Sequence, residues 1–189
     1  MRNKTIALIL GFLFLPLLLL YSINLPNNDI IPIYPGFQFS LTSDKSNTLK
    51  VKTAIDLPEN FVDYKKFDML WQVRLTYNGT EFEWMLRFRV ERNGDMYLEE
   101  ISDDYTTRVI PSSLDPLFPR NTVLNKPVSL GKNISWVVIK TIPSIKLGSK
   151  TYTDVYLAEL TLSEKKILFY LAKKRGIVGI QIDGETFAQ

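Results

Sequence analysis

Residues 6–23 read IALILGFLFLPLLLLYSI, an unbroken apolar run directly behind Arg2 and Lys4. A short positive stretch followed by a long apolar one is an export or anchor signal. At about 1.5 Å per residue a helix of this length reaches about 27 Å, close to the bilayer core of about 30 Å. No A-x-A-like site follows, and the best cleavage position, after Ser22, has Leu20 two residues upstream. Length and flanks favour a retained anchor over residues 1–24. A cleaved signal, which would leave a secreted or periplasmic product, is the alternative. With Arg2 and Lys4 held inside, the rest of the chain is expected outside the cytoplasm as a single-pass membrane protein.

Beyond the run the pattern changes from continuous to alternating. Residues 24–35 hold three prolines among polar turn formers, and residues 25–35 are expected to be a linker. Residues 36–189 then read as one extracytoplasmic β domain. The clearest signal lies in residues 71–90. Trp71, Val73, Leu75 and Tyr77 alternate with polar residues, Asn78-Gly79 follows, and Phe82, Trp84, Leu86, Phe88 and Val90 resume the alternation. Asn-Gly between alternating runs is the strongest short hairpin signal. A two-residue turn pairs Leu75 with Phe82, Val73 with Trp84 and Trp71 with Leu86 on one face, and Arg74 with Glu83 on the other.

Further strands are expected at residues 96–101, 134–142, 152–162, 167–172 and 177–182. A four-residue turn at 163–166 would pair Leu162 with Ile167, Leu160 with Phe169 and Ala158 with Leu171. Residues 103–127 hold four prolines and no sustained period. They are expected to connect two halves, with a short helical turn near residues 112–117. Leu75-Thr76-Tyr77 before one hairpin resembles Leu160-Thr161-Leu162 before the other. Either the chain carries a weak internal duplication, or two β-meanders share this look. The expected fold is mainly β: a curved antiparallel sheet, half-barrel-like, preceded by a transmembrane helix.

Composition narrows the function. The chain has no cysteine and no histidine. Disulfides, thiol catalysis and thiolate metal sites are excluded, and the commonest general base and metal ligand are missing. No catalytic residues, metal site or cofactor are expected, and the chain is read as a non-enzyme. Removing Arg2 and Lys4 lowers the net charge from +3 to +1, so the basic balance is no argument for nucleic acid.

Residues 146–155 and 170–178, with Pro127 to Lys132 as strand start, resemble a pattern common in small exported bacterial proteins. Those read roughly "G-T-F-x-D-x-L-x-V", a turn, then "Y-Y-A-x-G-V-G-L-V". Many are lipoproteins. The resemblance implies a curved antiparallel sheet related in outline to periplasmic lipoprotein-carrier half-barrels. Here the lipid-bearing cysteine is missing, and Arg175 stands where a small or apolar residue is usual.

Three constellations could carry function. Trp71, Phe82, Trp84, Phe88 and Trp136 could line a cavity for an acyl chain, with Leu114, Leu117 and Phe118 covering or plugging it; the plainer reading is core. Glu99, Glu100, Asp103 and Asp104 could hold calcium, but solvated strand ends are the plainer reading. Lys165, Lys166, Lys173, Lys174 and Arg175 could meet anionic head groups or a wall polymer, or simply solvate two turns. The expected partners are the membrane, through residues 6–23, and another envelope protein or a lipid. The leading expectation is a tethered binding or assembly module of the cell envelope; a carrier or sensor of an apolar ligand is the runner-up.

Overall fold

The computed structural model describes residues 25–34, 36–56, 65–103, 108–109, 114–163 and 165–189. The apolar run at 6–23 and Asp104 lie outside these. Among the described residues twelve strands form one antiparallel sheet: β1 (Gln38–Ser43), β2 (Thr48–Asp56), β3 (Lys66–Tyr77), β4 (Thr80–Glu91), β5 (Met96–Asp103), β6 (Arg108–Val109), β7 (Val128–Gly131), β8 (Ile134–Leu147), β9 (Lys150–Leu162), β10 (Lys165–Ala172), β11 (Gly176–Ile182) and β12 (Glu185–Ala188). Their order across the sheet is β6-β5-β4-β3-β2-β1-β12-β11-β10-β9-β8-β7. The sheet is curved and unclosed, with β6 and β7 as its edges. The chain runs outward through β1–β6, crosses to the opposite edge, and returns through β7–β12 to seal against β1. Both halves are therefore six-stranded meanders with the same connectivity.

Antiparallel hairpins alternate ends. The turns at 44–47, 78–79, 132–133 and 183–184 share one end, called the rim. Those at 92–95 and 173–175 share the other, called the base. Two-residue turns need left-handed backbone, and here Asn and Asp precede Gly: Asn78 has φ 50 and Gly79 φ 78, and Asp183 has φ 48 and Gly184 φ 83.

The β3–β4 register matches the alternation residue for residue. Trp71 faces Leu86, Val73 faces Trp84, Leu75 faces Phe82, and Arg74 Nε bonds Glu83 Oε2 at 2.9 Å. The expected β9–β10 register is corrected by two residues. Lys165 pairs with Leu162, Ile167 with Leu160 and Phe169 with Ala158. The turn is two residues rather than four, because Ser163 takes a left-handed φ of 56 and its N–H donates to Asn133 O at 2.7 Å. A shift of two preserves the face of every side chain, so the core survives the error.

The core fills the concave face at the base. Phe39, Leu41, Val51, Met69, Trp71, Phe88, Val90, Ala158, Leu171, Ile177 and Ile180 are all buried there. Residues 25–34, expected as a linker, are built into this core: Ile30 and Ile31 are each 1% exposed, and Asn28 is buried. Ile30 O accepts from Gly176 N at 2.9 Å and Asp29 O from Lys174 N at 2.9 Å, so the segment is tied to the start of β11. The connection after β6 also turns inward. Phe118 pairs with Met96 as an isolated bridge and is 3% exposed. Residues 114–117, where a helical turn was expected, form bends; residues 112 and 113 lie outside the description.

A second, smaller core lies on the convex side. Leu147, Tyr152, Val155, Ala172, Val178 and Ala188 pack together there. A Cβ on Gly179 would stand 2.9 Å from Leu147 Cδ1, so the outer part of the β8–β9 hairpin lies against β11. With both faces covered, Ile177 to Ile180 are buried without alternation.

Candidate functional site: a half-filled concave face

The five aromatic residues expected to line a cavity divide into two groups. Trp71, Phe88 and Trp136 are buried around one ring, Phe118, at centroid distances of 6.1, 6.1 and 5.5 Å. Trp71 and Phe88 also touch, at 4.8 Å. These three are core, and the crossover is the plug that makes them so. Their neighbourhood leaves a cavity of about 50 Å³ between the crossover and β7–β8, lined by Leu117, Val123, Val128, Trp136 and Val138. That is room for a water-sized group and not for an acyl chain.

Phe82 and Trp84 behave differently. They stack at 5.9 Å with planes 3° apart, toward the rim, and Phe82 is 43% exposed. They belong to a gradient that repeats along the concave face. On β3 Phe67, Met69 and Trp71 are buried, whereas Val73, Leu75 and Tyr77 are half-buried. On β4 Val90 and Phe88 are buried, Leu86 and Trp84 half-buried, and Phe82 exposed. On β9 and β10 Ala158 and Leu171 are buried, while Leu160, Ile167 and Phe169 are not. The base half is filled by residues 28–33 and by Phe118. Toward the rim these four strands carry apolar side chains that are half-buried or exposed, whereas Leu41, Leu49 and Glu185 on the strands between them are buried. The half-buried and exposed apolar side chains therefore form two patches, on β3–β4 and on β9–β10, separated in the sheet by β2, β1, β12 and β11.

The acidic cluster resolves into ion pairs. Glu99 Oε1 accepts from Arg89 Nε at 2.7 Å, and Glu100 Oε2 from Arg87 Nη2 at 2.5 Å. The side chains of Asp103 and Asp104 lie outside the description. Among the described residues no group of three acidic side chains gathers as a metal site would require. The five clustered basic residues are separated: Lys165 and Lys166 stand at the rim, and Lys173, Lys174 and Arg175 at the base.

A buried polar contact at the rim went unread in the sequence. Glu185, at the start of β12, is 5% exposed. Its Oε1 accepts from Asn47 Nδ2 at 2.9 Å, and its Oε2 lies 3.4 Å from Lys45 Nζ. Asn47 Oδ1 in turn accepts from Asn78 N at 2.8 Å. One side chain thus joins the β1–β2, β3–β4 and β11–β12 turns across the seam. The signal was the Asp183-Gly184 dipeptide, which announces a hairpin and therefore a strand after it. Hydrogen bonds from the Ser43 hydroxyl and Asn47 hold the Glu185 carboxyl below its ordinary value of 4.5 against the opposing effect of burial, with Lys45 assisting. A carboxyl depressed in the folded state stabilises it above the unfolded value, and that contribution is lost as pH falls through the folded value. Wild type is therefore expected to melt above Glu185→Gln at pH 7, with the gap closing as pH drops below about 4.5. Thermal melts of both proteins between pH 7 and 3 check this; a gap independent of pH would show that the charge contributes nothing.

Among the described residues the outer edge of β8 is largely uncovered. β7 reaches only Ile134 to Trp136, and Asn125 N adds one bond to Val138 O at 2.7 Å. Beyond that the edge carries Lys140, Pro143 and Lys146, devices that discourage strand addition. Among the described residues no helix is long and apolar enough to cross a membrane.

No family model, curated protein or solved structure matches this chain.

Proposed function

We propose that this chain is a non-catalytic binding module of the bacterial cell envelope, tethered through residues 6–23 with its β domain outside the cytoplasm. Its rim-side concave face takes an apolar chain, such as a lipid acyl group. The observation that carries the reading is the exposure gradient shared by β3, β4, β9 and β10, ending in the stacked Phe82 and Trp84. A sheet that had only to bury its core would not leave apolar strand ends half-exposed on both sides of the β1–β12 seam. The missing histidine and cysteine, and the engagement of Glu99, Glu100 and Glu185 in structural contacts, support the non-catalytic reading. The resemblance of residues 127–182 to exported bacterial β domains fits the same reading. Strand addition by an envelope protein at β8 is second, because Pro143 and the flanking lysines oppose it.

Full-length protein extracted in mild detergent is expected to carry lipid detectable by mass spectrometry. It should also bind a fluorescent fatty acid saturably. Replacing Phe82 and Trp84 together by serine removes two aromatic contacts worth about 1.5–3 kcal/mol each when fully buried, so affinity should fall at least tenfold. Phe82 is exposed and Trp84 half-buried, so thermal stability should change little. Lipid-free protein with no saturable binding would sink the proposal.

A further inference from the structure

The base of the sheet carries a continuous basic surface. Lys65, Arg92, Arg120, Lys173, Lys174 and Arg175 are all exposed there. Backbone hydrogen bonds fix them side by side. Arg92 N donates to Lys65 O at 3.0 Å, Asp29 N to Arg120 O at 3.1 Å, and Lys174 N to Asp29 O at 2.9 Å. Arg120 Cγ lies 3.6 Å from the position a Cβ would take on Gly94, in the turn that also holds Arg92. Two carboxylates lie among them, Asp29 and Asp95, the latter accepting from Arg120 N and Asn93 Nδ2, so the six basic groups remain in excess. Three rim lysines are paired with acids instead. Lys45 faces Glu185, Lys165 faces Asp183 and Lys166 faces Glu159. Among the described residues no ion pair engages Lys65, Arg120, Lys173, Lys174 or Arg175 at the base.

The chain enters the domain at this same end. A Cβ on Gly94 would collide with Asn27 O, and Asn28 Nδ2 donates to Gly94 O at 2.9 Å. Between Ile23, the last residue of the apolar run, and Leu25, which packs on the core, stands one residue. The two Cα–Cα steps between them reach at most about 7 Å, so a tethered domain has little freedom to turn its base away from the bilayer.

We infer that the base is a membrane-apposed face whose basic cluster binds anionic lipid head groups. The inference rests on the tether reading of residues 6–23. It also orients the domain, because the apolar rim then points away from the membrane, open to a partner. Each basic side chain near an anionic surface contributes on the order of fivefold to partitioning, and salt weakens the effect.

The test uses full-length protein reconstituted in vesicles of phosphatidylcholine with or without 30% phosphatidylglycerol. The absence of native cysteine allows single labels at Asn121→Cys, beside Arg120, and at Lys132→Cys, on the rim. Nitroxide head groups should quench the first label and spare the second, more strongly with the anionic lipid and less in 0.5 M salt. A Lys173→Gln/Lys174→Asn/Arg175→Gln variant keeps the turn, since asparagine accepts the left-handed φ of 56 at position 174. It should lose the dependence on anionic lipid. Equal quenching of the two labels, or quenching at Asn121→Cys indifferent to lipid charge and salt, overturns the inference. If the chain fails to insert, the tether reading fails, and cosedimentation of the chain with the anionic vesicles decides the surface alone. Salt-sensitive binding, lowered on the order of a hundredfold by the triple variant, keeps the surface. Binding no better than to phosphatidylcholine, or binding only to an anionic wall polymer, ends it.

Discussion

A Phe118→Ala variant is expected to lose about 3–5 kcal/mol of folding stability, the cost of a large ring removed from a packed core. Phe118 comes from the crossover yet sits among Trp71, Phe88 and Trp136, residues of β3, β4 and β8. Those strands lie on the two sides of the β1–β12 seam, so the ring is a keystone between the two meanders. Its backbone also pairs with Met96, with N–H and C=O both bonded, which holds the crossover in place after truncation. The cavity would therefore persist rather than collapse. Urea denaturation should show a lower midpoint with an unchanged slope, and near-ultraviolet dichroism should report looser tryptophans. A loss below about 1 kcal/mol would mean that the concave face closes without the plug.

The second large effect is expected at Asn28. Its Nδ2 donates to Gly94 O, Phe118 O and Pro119 O at 2.9, 3.1 and 3.2 Å, and its Oδ1 accepts from Ile30 N and Ile31 N at 3.0 Å each. One buried amide thus ties the N-terminal segment, the β4–β5 turn and the crossover. Asn28→Ala leaves several buried backbone groups without partners, each costing about 1–3 kcal/mol if water cannot reach it. The sum is not additive, and a total of about 2–4 kcal/mol is expected. Asn28→Asp should be worse still, because a carboxylate would face three carbonyl oxygens where the amide now donates. Hydrogen exchange gives a local readout: the amides of Lys174 and Gly176, bonded to Asp29 O and Ile30 O, should exchange faster in both variants. Unchanged protection at those amides would show that residues 28–33 stay seated without the asparagine.

The two effects fall where reading along the chain stopped short. The β3–β4 hairpin was legible because alternation, the Asn78-Gly79 turn and the Arg74–Glu83 pair are all local. The β9–β10 register was misread by two residues, because Ser163 adopts a left-handed turn conformation that favours other residues, and its N–H is held by Asn133 from the neighbouring hairpin. Residues 25–34 look like a linker by composition. Their burial depends on β11 and on the 92–95 turn, far away in sequence. The aromatic set was legible as one face of a sheet, but not its division. Whether Trp71 or Trp84 meets water depends on where Phe118 arrives.

The sequence by itself determined the mainly β character, the absence of thiol and imidazole chemistry, the faces of the long strands and the register of one hairpin. The missing chemistry follows from composition, and the rest from a period of two and from backbone preferences that act within a few residues. The tertiary structure alone decided that the sheet stays unclosed, that a crossover and an N-terminal segment fill one half of its concave face, and that the apolar side chains toward the rim of β3, β4, β9 and β10 remain half-buried or exposed. Those outcomes come from contacts between segments tens of residues apart, and no local pattern specifies which strand ends will be covered.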